Sequence, residues 1–119
     1  MPPYALVERT RLLSYAVTAF CRTLPHTVEA REAARQLREA ANSVRSNYRA
    51  ARRGRSRREF QAKLQIAFEE ADETVDWLEY LRDMSISEDA ALLKEAREVA
   101  SILAKAVRTA RWNTDHPRE

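Results

Sequence analysis

The sequence predicts an all-α protein, an antiparallel up-down-up-down four-helix bundle, on three observations. Only one Gly and four Pro occur among 119 residues, while 45% are hydrophobic and 33% charged, a composition that helices favour over turn-rich β structure. Apolar residues recur every three or four positions in four segments. The breaks between segments are short, so each helix must fold back against the one before it. The length suits a single domain over residues 1–119, large enough to bury a core without staples.

The first helix is expected over about 4–24. Pro2 and Pro3 suit its start, and Leu6, Leu13, Val17, Phe20 and Leu24 form its apolar stripe. Pro25 ends it, because a proline disfavours helical geometry in the residue before it, and Thr27 caps the next helix. That second helix, about 28–53, has a seam of small residues: Ala30, Ala33, Leu37, Ala40, Val44 and Ala51. Small side chains let a partner helix approach closely. Gly54 breaks the pattern, and Ser56-Arg57-Arg58-Glu59 reads as a capping box opening a third helix over about 57–84. Its seam is Phe60, Leu64, Ala67, Ala71, Val75, Leu78 and Leu81. A polar turn with a cap at Ser87 leads to the fourth helix, about 88–111, with Leu92, Ala96, Val99, Leu103, Ala106 and Ala110 inward and residues 113–119 as a frayed tail.

Composition also excludes functions. One Cys cannot form an internal disulfide and two His cannot build a zinc site, which points to a reducing, cytoplasmic setting without structural metal. No apolar run reaches the ~20 residues of a membrane span, and the N-terminus lacks the features of a secretory signal, so no membrane partner is expected. No Glu is followed three residues later by His, and one glycine cannot make a phosphate-cradling loop. Cys21 falls near the face of Val17 and Leu24, as an apolar filler without a paired base. The expectation is no catalysis and no cofactor.

The charge is segregated. Between positions 45 and 63 lie Arg45, Arg49, Arg52, Arg53, Arg55, Arg57, Arg58 and Lys63, with only Glu59 against them. From 69 to 83 the third helix carries seven acidic residues against Arg82. Hairpin connectivity brings the end of the second helix, the start of the third and the end of the fourth to one tip, where Lys105, Arg108 and Arg111 join the arginines. Such a pole attracts phosphates, and the candidate ligand is nucleic acid. The competing reading is a solvated surface balanced by the acidic stripe of an adjacent subunit. Tyr48 is the sole aromatic among the arginines, which favours backbone contact over base stacking.

Two further groups stand out. Ser43 and Asn47, one turn apart, are expected to sit partly buried opposite Glu70 or Glu73, as a polar set fixing helix register. Trp77, Tyr80 and Met84 form a second stripe beside the core seam, read as a subunit interface, with Trp112 ambiguous in the same way.

The stretch Leu37-Arg38-Glu39-Ala40-Ala41-Asn42-Ser43-Val44-Arg45-Ser46-Asn47, followed by Gly54-Arg55-Ser56-Arg57-Arg58-Glu59-Phe60 and Leu64-Gln65-Ile66-Ala67, resembles the bacterial four-helix-bundle proteins encoded within intervening sequences of 23S ribosomal RNA. Leu24-Pro25 fits as well. The resemblance implies a ring, typically a homopentamer, with no known catalytic activity. The fold it implies is similar to the accessory protein of diversity-generating retroelements, a pentameric barrel that binds nucleic acid and a reverse transcriptase. Carried over, it makes Arg49, Arg52, Arg53, Arg55, Arg57 and Arg58 candidate contacts to RNA or DNA, Trp77 and Tyr80 a candidate interface, and a neighbouring enzyme such as a reverse transcriptase a candidate partner. The sequence departs from the family pattern at Arg45, where proline is common, and at Tyr48-Arg49-Ala50-Ala51, where Ile-Ala-Glu-Gly is frequent. Both changes lengthen the second helix and add positive charge.

Overall fold

Four helices account for most of residues 2–117, which the computed structural model describes: α1 (Pro3–Cys21), α2 (Val28–Arg52), α3 (Arg57–Asp83) and α4 (Ala90–Asp115). Contacts from side chains of one helix to the next fix their directions. Cys21 faces Ala34 while Tyr15 faces Arg45, Arg52 meets Phe60, and Gln61 meets Ala110 while Glu79 meets Arg97, so successive helices run antiparallel. Each helix packs on its two neighbours around the bundle, giving a rod of 56 × 22 × 21 Å.

The α2–α3 pair is the most extensive contact, and alanines explain it. Ala33, Ala40, Ala41 and Ala51 of α2 and Ala67 and Ala71 of α3 are buried, and side chains this small let the two helices approach closely. Leu13, Leu37, Leu64, Leu81 and Leu103 fill the axis. Thr74, fully buried, takes the seam position expected for Val75, which lies half-buried on the flank. A threonine is tolerated there because its hydroxyl donates to the Glu70 carbonyl of its own helix, at 2.8 Å. The α1–α4 pair is the least extensive, and a fork ties it: the Arg9 guanidinium donates to both Glu95 oxygens at 2.8 Å and to Glu98 at 2.5 Å.

Helix ends follow local chemistry. Thr27 and Ser56 cap α2 and α3 by accepting from Ala30 and Glu59 amides. Three ends differ from the sequence expectation. α1 stops at Cys21, before Leu24, because the Thr23 hydroxyl and amide both donate to the Phe20 carbonyl and close the last turn early. α4 begins at Ala90, capped by Asp89, whose carboxylate accepts from the Leu92 amide. Ser87 is instead part of the turn, its amide donating back to Leu81. α4 also runs on to Asp115, with Gln61 of α3 donating to Ala110 and Thr114, so residues 113–115 are helical and the frayed tail does not begin there. Residues 118 and 119 lie outside the described residues.

Candidate nucleic-acid interface

The tip where α2 ends, α3 begins and α4 ends is built by a tight connection. Arg53 is the C-cap of α2, and the Gly54 amide donates to the Ala51 carbonyl. A Cβ on Gly54 would lie 3.2 Å from both the Ala51 carbonyl oxygen and the Phe60 amide nitrogen, so close backbone approach, with no positive φ, explains the glycine. The expected capping box is half formed. Ser56 accepts from the Glu59 amide, but the Glu59 carboxylate reaches one residue further back and accepts from the Arg55 amide at 3.2 Å.

That bond engages one oxygen of Glu59, the only carboxylate in the stretch 45–63. Among the described residues none of Arg49, Arg52, Arg53, Arg55, Arg57 and Arg58 enters an ion pair, and all six are exposed. Arg49, Arg53 and Arg55 line one shallow groove with Glu59 on its wall. Arg58 and Arg111 line a second, between α3 and α4, with Asp115 at its edge. Arg52 lies over the Phe60 ring, its guanidinium carbon 5.7 Å from the centroid, and Arg57 donates to the Asn113 carbonyl at 3.5 Å. The tip thus gathers cations from α2, α3 and α4.

Two residues of the predicted group stand apart. Arg45 is half-buried and turned onto the Tyr15 ring of α1, at 5.9 Å, whereas Arg49 and Arg52, four and seven residues on, are exposed at the tip. Lys63 is half-buried about two turns up α3. The tip also holds an aromatic pair that the sequence reading did not use: exposed Trp112 stacks on His116, with centroids 4.2 Å apart and planes 12° apart. The signal was available as a four-residue spacing, but it counts only once α4 is known to extend past residue 111.

The polar set lies farther along the α2–α3 contact. Asn47 donates to the carbonyl and hydroxyl oxygens of Ser43, at 3.0 and 2.9 Å. Glu70 meets Ser43 and Glu73, and burial, with the neighbouring Glu73 carboxyl, raises the Glu70 carboxyl above its ordinary range. Glu73 in turn accepts from the Trp77 indole at 3.4 Å. Trp77 and Tyr80 meet edge to face at 5.3 Å and are half-buried against the core, while Met84 is 58% exposed. With Val28 they line a groove between α2 and α3 edged by Glu29, Glu32 and Asp76.

Cys21 is buried, its thiol facing the Ala34 carbonyl, and burial pushes its pKa up, so it is a poor nucleophile. Among the described residues no cluster of His, Cys, Asp or Glu converges as a metal site, and no helix is long and apolar enough to cross a membrane.

These features define a class, the small all-α bundle with one strongly basic end. The chain belongs to the 23S rRNA-intervening sequence protein family, whose model matches residues 4–106. A solved structure from Bacteroides thetaiotaomicron, a protein of unknown function in the S23 ribosomal protein family, is similar over 91% of this chain and 99% of that one, with a TM-score of 0.80 and 22% identity. At that identity the likeness establishes the fold. No curated protein matches the chain.

Proposed function

We propose that this protein is a non-enzymatic, cytoplasmic member of its family that binds the backbone of RNA or DNA through its basic tip and works as a homo-oligomer, a pentameric ring in the pattern of its family. The observation that carries the reading is the set of six exposed arginines with no ion-pair partner among the described residues. Guanidinium groups left without internal counterions are free to grip phosphates, and their number predicts steep salt dependence. The groove of Val28, Trp77, Tyr80 and Met84 supports a protein contact away from the tip, with another subunit or with a neighbouring enzyme such as a reverse transcriptase.

The test is fluorescence anisotropy with labelled RNA and DNA at two ionic strengths. With six or more phosphate contacts, affinity falls about a thousandfold between 50 and 200 mM salt. Replacing Arg52, Arg53, Arg55 and Arg57 together by Glu abolishes binding while circular dichroism stays helical. Affinity indifferent to salt, or unchanged in that variant, refutes the basic tip as the site.

A further inference from the structure

We propose that the outer face of α4 at the basic tip is a base-stacking track that selects single-stranded nucleic acid over duplex. The proposal rests on the nucleic-acid reading above and specifies the ligand. Lys105, Arg108 and Trp112 lie on one face of α4, His116, the residue that caps its end, follows at the same spacing of four, and all four are exposed. Two cations are followed by two rings along about 16 Å of the helix direction.

Trp112 is 59% exposed, although an indole is among the side chains that gain most from burial. Its neighbour is held in place: the His116 Nδ1 lies 3.0 Å from the Trp112 carbonyl oxygen. A carbonyl only accepts, so Nδ1 carries the hydrogen, and the imidazole is fixed parallel to the indole. The pair forms a prebuilt flat surface without a core function. Arg57 of α3 reaches the carbonyl of Asn113, the next residue, which sets phosphate-binding groups beside the rings. An unpaired base can lie on such a ring while its phosphates meet Arg108 and Lys105, whereas bases within a duplex are already stacked on each other. The family match ends at residue 106, so Arg108, Trp112 and His116 lie outside the part of the chain that it covers.

The experiment compares Trp112→Ala with the wild type on a labelled single-stranded oligouridine and on an RNA duplex of equal length. Trp112→Ala weakens single-strand binding about five- to a hundredfold and leaves duplex binding within about twofold, while Trp112→Phe keeps most of the single-strand affinity. In a Trp77→Phe background, the remaining tryptophan emission is quenched on adding oligouridine. Equal weakening on both ligands, no weakening on either, or absence of quenching overturns the track. A change of mass in light scattering of Trp112→Ala also overturns it, by assigning the indole to a subunit contact. In each of these cases salt-dependent binding by the wild type leaves the basic tip standing as the site. Wild-type protein that binds neither ligand refutes both.

Discussion

Ser85 holds φ at 57°, in the left-handed region that L-residues avoid. The amides of Ser85 and Ile86 donate to the carbonyls of Arg82 and Leu81, the two bonds of a Schellman ending to α3, and Ile86 packs on the core. Glycine is the usual residue at that position, so Ser85→Gly raises stability by about 1 kcal/mol in urea unfolding, less the extra freedom glycine has in the unfolded chain. Glu70 gives a second consequence. Its carboxyl titrates above its unfolded value, so the native state holds this proton more tightly. Between those two values the native chain binds more protons, and stability falls as pH rises through the native pKa. Unfolding free energies measured from acidic to neutral pH decline across that window in the wild type, and the decline is reduced in Glu70→Gln.

At the scale of elements, α2 and α3 act as a close-packed pair because alanine lines both sides of their contact. Ala67→Leu, at a fully buried position, forces off-rotamer packing and costs about 1–3 kcal/mol, read as a fall in melting temperature with helicity retained in the folded baseline. α4 differs in kind. Its first half packs on α1 and α3 through Leu92, Leu93, Ala96, Val99 and Leu103, and its last two turns are held by Gln61 and Arg57, leaving Trp112 and His116 outward.

Over the whole molecule, charge is distributed by end. The basic tip is set by the last turn of α2, the first of α3 and the last of α4, whereas carboxylates edge the groove of Trp77 and Tyr80. Two assemblies are distinguished by salt. If subunits are held through apolar contact at that groove, light scattering coupled to size exclusion gives a mass that survives high salt and collapses to one chain in Met84→Glu. If basic tips sit on acidic grooves, high salt alone dissociates the oligomer.

Helix number, order and the hydrophobic seams were legible in the sequence because periodicity, Pro25, Thr27, Gly54 and Ser56 act locally, through steric limits and the first turn's unpaired amides. The concentration of arginines was legible too, since adjacent residues stay adjacent in any fold. Helix lengths at Leu24, Ser87 and Asp115 were decided by hydrogen bonds available only after packing or turn closure. Tertiary structure alone turned Arg45 onto Tyr15, away from its helical neighbours, and left the locally spaced pair Trp112 and His116 exposed among cations. The apolar period of each helix already marks its inward face, but how far the helix runs and which long side chains on its flanks find a partner across a groove depend on the neighbouring helices, which no local pattern encodes.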